Sequence, residues 1–239
     1  MITQEQIKIL ANKYQTTELS CRREYFQHLF LSYFYQQHQT GVIYFKGGTA
    51  LRMIYKSPRF SEDLDFSTSL YDINIIEQSI LQTLLAIEKE GIKTNLQEAK
   101  ETTGGYLASI TFQAFEQMIS VLLQISLREG KKKGEVITVA NDFIPTYIIT
   151  GLSQEQLVDE KIQALLIRQK PRDFYDLYFI LRSNLLSAEK KDILPKALKT
   201  LQQTDINFET ELKQFLPKSH WLIIRDFNQT LKREIERFI

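Results

Sequence analysis

The chain has 239 residues, 43% of them hydrophobic and 25% charged, an ordinary balance for a soluble globular protein with one large or two small domains. The formal net charge of +1 excludes a global electrostatic pull toward nucleic acid or a membrane surface, so any such contact has to come from a local patch. The single cysteine, Cys21, rules out an intramolecular disulfide and a cysteine zinc site.

In chain order, the opening MITQEQIKIL lacks the apolar core of a secretory signal, and Thr3 with Gln6 has the pattern of a capping box at the start of a first helix. No later stretch approaches the run of about 20 apolar residues that crosses a bilayer. The expectation is a cytoplasmic protein without a membrane partner. REYFQHLFLSYFYQQ repeats its aromatic residues at helical spacing, which reads as the core face of a second helix rather than a stacking platform, with Gly41 placed to stop it. VIYF reads as a short buried strand. Gly47-Gly48 then make a turn, Thr49 caps a short helix ALRMIY, and Pro58 ends it. DLDFST alternates polar and apolar residues as a half-buried strand does.

Asp72 caps a helix from Ile73 to about Glu90, closed by Gly91. The segments IKTNLQE, GYLASITFQAF, ISVLLQISLRE and EVITVAN read as strands, with Gly104-Gly105 and KKKG (Lys131–Gly134) as hairpin turns between them. After Pro145 the pattern turns helical. Ser153 and Gln156 form a second capping box, and the rest of the chain reads as helices. The fold class is therefore α+β. A mixed β-sheet flanked by helices fills residues 1–150, and a helical bundle fills residues 151–239.

The chemistry concentrates in YFKGGTALRMIYKSPRFSEDLDF. On a strand, Asp63 and Asp65 point to one side while Leu64 and Phe66 point to the core. Two carboxylates that close repel each other unless a cation or hydrogen-bond donors hold them. Oxygen-only ligands favour magnesium or manganese, and magnesium needs only one or two carboxylates when a substrate supplies phosphates. A Gly-Gly turn opening a helix admits an anion close to backbone N–H groups. Phosphates at the turn and a metal at the aspartates describe a bound nucleoside triphosphate, poised for in-line displacement at phosphorus. Alone, each feature is commonly a plain turn or a loop acid. Strand, Gly-Gly turn, short helix and acidic strand in that order are far more specific.

FKGGTALRMIY followed by RFSEDLDF resembles the AbiEii/AbiGii-type toxin nucleotidyltransferases, members of the DNA polymerase β-like nucleotidyltransferase superfamily that also includes the MenT-type toxins. EKIQALLIRQKPRDFYDLYFIL resembles the same family, which has a lysine and then an Arg-Asp…Asp-Leu pattern there. The resemblance implies a nucleotidyltransferase-type sheet and transfer of a nucleoside monophosphate from a triphosphate to an acceptor. It also implies a transfer RNA, another RNA or a protein as that acceptor, Mg2+ or Mn2+ as cofactor and a cognate antitoxin as partner. By this resemblance Lys46, Gly47, Gly48 and Thr49 hold the nucleotide, Asp63 and Asp65 the metal. Lys161 contacts the triphosphate or a developing charge, and Asp173 or Asp176 completes the site. Arg59 neutralises phosphate or braces the acidic strand, and the helical domain contributes Lys161 and Asp176.

The residues themselves support part of this. Lys161 shares a helical stripe with Leu157, Ala164 and Arg168, close to the core side; a lysine there either serves a site or snorkels and pairs with Glu160 or Asp159. Asp173 follows Pro171 and equally suits a first-turn acid, whereas Asp176 sits among Leu177, Ile180 and Leu181; Arg172 can pair with either. One departure stands out. Superfamily members often carry a third carboxylate on a later strand, and Gln124 occupies that place. Glutamine cannot act as a general base, so Glu62, Asp176 or Glu129 would substitute, or the acceptor needs little activation. The alternative is a catalytically degenerate nucleotide-binding or antitoxin-binding module. A third reading, the manganese site of a sugar-nucleotide glycosyltransferase, is opposed by the glycine turn and the short chain. KKKG is either a charged turn or a contact for RNA phosphates. Cys21 and Trp221 read as core, and the three histidines show no metal-ligand spacing.

Overall fold

A computed structural model describes residues 1–69, 72–114, 117–127 and 132–239. Contacts divide these residues into two compact units, Met1–Lys56 with Phe60–Leu152, and Ser57–Arg59 with Ser153–Ile239. The chain thus enters the second unit for three residues, returns to the first, and enters again at Ser153.

The first unit opens with α1 (Gln4–Lys13), where Thr3 and Gln6 form the expected capping box. It continues with α2 (Glu18–Phe34), β1 (Ile43–Lys46), α3 (Gly47–Met53), β2 (Leu64–Thr68) and α4 (Ile73–Glu88). Strands β3 (Lys93–Thr102), β4 (Gly105–Ala114), β5 (Gln117–Ser126), β6 (Gly134–Val139) and β7 (Tyr147–Leu152) complete it. All seven strands form one mixed sheet in the order β3-β4-β5-β2-β1-β7-β6. β1 runs antiparallel to β2 and parallel to β7, and β2 runs parallel to β5. Helix α2 lies against the sheet and α4, and its aromatic face is core as expected. Phe26 stacks on Phe112 at 4.9 Å between ring centroids, and Phe34 meets Phe66 at 5.4 Å.

Several expectations need correction. Helix α2 stops at Phe34, well before Gly41, because the Gln36 and Gln37 side chains take the carbonyls of Ser32 and Tyr33 and so cap its last turn. β7 was not expected. Its alternation is hidden because Ile148, at an outward position, is apolar and 61% exposed. The KKKG segment does not turn a hairpin between neighbours, since β5 and β6 are separated in the sheet by β2, β1 and β7. Residues 128–131, which include Glu129 and Lys131, lie outside the described residues. The Thr103-Gly104 turn does join β3 to β4 as a tight hairpin, Thr102 pairing with Gly105.

The second unit is helical: α5 (Gln154–Arg168), α6 (Pro171–Arg182), α7 (Leu194–Gln202), α8 (Phe208–Leu212), α9 (Trp221–Arg225) and α10 (Phe227–Glu236). α6 packs on α5, α8 and α10. Its core gathers Phe174, Phe208 and Phe227, with centroids 5.4 and 5.0 Å apart in sequence of contact. Ser153 stands at the N-cap of α5, but its buried hydroxyl makes no cap bond, so that capping box does not form. The last helical stretch breaks at Asp226, whose φ of −124° and ψ of 52° leave the helical region. Trp221 is half-buried, with its indole N–H donating to the Leu216 carbonyl, and is not core.

Candidate active site

In the first unit, β1 delivers the chain to the glycine turn and α3 begins at Gly47. Gly47 has a φ of +83°, the left-handed region that L side chains disfavour. A Cβ there would sit 2.1 Å from Asp65 Oδ2 and 2.8 Å from Asp65 Cγ, so the carboxylate rests on the glycine backbone and any side chain there would displace it. β1 and β2 pair Lys46 with Asp65, and β2 and β5 pair Asp65 with Gln124. Residues paired across strands share a side of the sheet, so Lys46, Asp65 and Gln124 form one row. Leu64 and Phe66 are fully buried on the opposite side, while Asp63 and Asp65 are half-buried.

Thr49 is placed differently from its expected contact with phosphate. It is buried, and its hydroxyl donates to the Asp63 carbonyl at 2.5 Å, tying α3 to the acidic segment. Glu62, considered as a base, takes a 2.6 Å ion pair from Arg23 instead.

The two carboxylates fit a divalent cation that takes few protein ligands. Both are half-buried rather than enclosed; Asp65 lies in register with Gln124, a side chain with an amide oxygen, and Asp63 stands two residues before it, just ahead of β2. Among the described residues no group of three or more acidic, histidine or cysteine side chains forms a metal site, so substrate oxygens would have to complete the coordination.

The second unit holds the other expected residues. Asp176 is buried and accepts from Arg59 at both oxygens, 2.8 Å from Nε and 3.0 Å from Nη2. Its Oδ2 also accepts from Lys161 Nζ at 2.7 Å. Burial alone would push this carboxyl up, but Arg59 and Lys161 outweigh it and hold it below the usual carboxylate range. Asp173 is also buried. It accepts from the Lys170 backbone N–H at 3.2 Å and pairs with Arg168 at 2.5 Å, which makes it the acid that starts α6. The partners of the two aspartates are therefore Arg59, Lys161 and Arg168, not Arg172. Lys161 pairs with neither Glu160 nor Asp159; the latter is bound by Lys190.

Sequence reasoning missed Gln27, whose amide N–H groups donate to the Ser61 and Glu62 carbonyls at 3.1 and 2.9 Å. It also missed the pairing of Arg59 with a residue 117 positions away. No local pattern announces either.

The fold is shared with two proteins of Helicobacter pylori known from crystal structures. JHP933 is 20% identical with a TM-score of 0.62, the match covering 93% of this chain and 95% of that one. A candidate nucleotidyltransferase is 20% identical with a TM-score of 0.60, covering 93% of this chain and 99% of that one. No curated protein matches the chain. Residues 29–237 match the family described as Nucleotidyl transferase AbiEii toxin, Type IV TA system, a span that covers most of each unit and includes the glycine turn, the acidic pair and the Lys161 stretch. The sugar-nucleotide reading is thereby set aside: the chain belongs to the AbiEii family of nucleotidyl transferase toxins of type IV toxin–antitoxin systems.

Proposed function

We propose that the chain moves a nucleoside monophosphate from a triphosphate to an RNA, such as a transfer RNA, or to a protein hydroxyl, with a divalent cation at Asp63 and Asp65. The observation that carries the reading is the packing of the Asp65 carboxylate against Gly47, which joins the acidic strand to the glycine turn. A magnesium or manganese ion, when bound, would neutralise phosphate charge and favour attack at phosphorus. Gly47 and Gly48 give phosphate oxygens close access to backbone N–H groups, and Lys46 adds positive charge on the same side as Asp65. Thr49 acts from behind, holding the Asp63 backbone. The acceptor oxygen bonds to the α-phosphorus as the bond to the β-phosphate oxygen breaks, and pyrophosphate leaves with the electron pair.

Lys161 supplies the ammonium for the triphosphate or the departing pyrophosphate, and Asp176 and Arg59 are its positioning residues. Asp173 serves the start of α6. No carboxylate is assigned as base: Gln124 cannot take a proton, and Asp176 is occupied by two cations. The acceptor proton therefore passes to water. An antitoxin protein is the implied partner, and no described helix is long and apolar enough to cross a membrane.

Transfer of label from each radiolabelled triphosphate to total RNA and protein tests the reading. Wild type should label one acceptor, and Asp63→Ala or Asp65→Ala should abolish labelling; equal labelling in all three overturns it. The glutamine beside Asp65 favours one alternative, a module that binds triphosphate without transferring it, which would show binding but no labelled product.

A further inference from the structure

The segment Ser61–Asp63 leads into β2 and is not itself part of a strand. The carbonyl of each of the three accepts from a side chain. Gln27 Nε2 lies 3.1 Å from the Ser61 oxygen and 2.9 Å from the Glu62 oxygen, and Thr49 Oγ1 takes the Asp63 oxygen. A primary amide has two hydrogens, one for each carbonyl. Gln27 is 1% exposed, fixed within the aromatic core of α2. Its neighbours on the same helix act on the same region. Arg23 holds the Glu62 carboxylate at 2.6 Å, and Glu24 takes Arg52 of α3 through two bonds, 2.8 and 2.9 Å. One helix therefore grips both the short helix after the glycine turn and the segment before the acidic strand.

We propose that Gln27 is a positioning residue for the acidic pair, its amide fixing the backbone before Asp63 so that the Asp63 and Asp65 carboxylates are set for a cation before one binds. This rests on the reading that those aspartates hold the metal. A glutamine kept only for packing would be replaceable by methionine, which has similar volume and no donors, without effect on the metal. A donor that sets ligand geometry would not be replaceable, since supporting residues of this kind commonly govern metal affinity about 10- to 100-fold.

The test titrates manganese alone into the full chain, followed by electron paramagnetic resonance, for wild type, Gln27→Met, Gln27→Glu and Asp65→Ala. Amide hydrogen exchange of the 61–66 segment is measured on the metal-free proteins. We expect Gln27→Met to weaken manganese binding about tenfold or more and to speed exchange in that segment. At saturating metal kcat should recover, because the ligands themselves remain. Gln27→Glu, which keeps the size and loses the paired donors, should behave alike and serves if the methionine variant does not fold. Affinity lost in Asp65→Ala but unchanged in both Gln27 variants would overturn this inference and leave the metal reading standing. Equal affinity in wild type and Asp65→Ala would overturn the metal reading and this inference with it.

Discussion

Asp65 rests its carboxylate on the backbone of Gly47, so close that a methyl group on that glycine would fall 2.1 Å from Oδ2. Two positions that looked separately unfavourable in the sequence thus require each other in the fold.

Replacing Gly47 by alanine should therefore injure the site more than the fold. The left-handed backbone costs an alanine about 1 kcal/mol, and the added carbon displaces Asp65. Misplacement of a reacting group by about 1 Å can cost about 100-fold in rate, and a loss of that order in label transfer is expected. Gly91 supplies the control. Its φ is +82° with nothing within 4 Å of an added Cβ, so Gly91→Ala should lower the melting temperature comparably and leave transfer intact.

Lys161 and Asp176 should separate in stability. Asp176→Ala strands the buried Arg59 guanidinium without its bidentate partner, a change expected to cost about 3–5 kcal/mol in urea denaturation. Lys161→Met leaves that pair whole and should cost about 1–2 kcal/mol. Its transfer rate should still fall about 100-fold or more if its ammonium serves the triphosphate. A Lys161→Met protein with wild-type transfer would show the lysine to be structural.

Asp176 also sets a pH dependence. Its carboxyl is held below the ordinary range, the effect of burial being outweighed by Arg59 and Lys161. A depressed carboxylate contributes its stability above the unfolded pKa of about 3.9 and loses it as pH falls through the lower folded value. The gap in melting temperature between wild type and Asp176→Asn should stay constant from about pH 8 to about pH 5 and close below about pH 4.

Gln124 pairs with Asp65 in register across the parallel strands, where the family resemblance leads us to expect a carboxylate. If transfer is limited by that missing base, Gln124→Asp should raise the rate by about 100-fold, the lower end of what general base catalysis provides. A rise measured in single-turnover label transfer would identify the glutamine as a restraint on the enzyme. No rise would mean that the acceptor oxygen needs no protein base.

What was legible in the sequence is local: the acidic strand after a glycine turn, which the fold brings together as Asp65 against Gly47, and the later strand that sets Gln124 in register with Asp65. The rest depends on chain folding. Thr49 has the look of a helix cap, yet its hydroxyl goes to a carbonyl 14 residues on. Gln27 is hidden in an aromatic helix because burial, not pattern, gives it its role. β7 escaped because an exposed isoleucine broke its alternation, and the topology of the sheet escaped because adjacent strand segments need not be neighbours.

The short excursion Ser57–Arg59 has a consequence for any attempt to cut the chain in two. A fragment beginning at Ser153 would contain every helix of the second unit, yet Asp176 would keep only Lys161 as a counter-ion. A fragment ending at Leu152 would carry an arginine whose acid had been left behind. Neither half is electrically complete, so the units cannot be exchanged as modules at that junction: a chimera must transplant the three-residue loop along with the bundle.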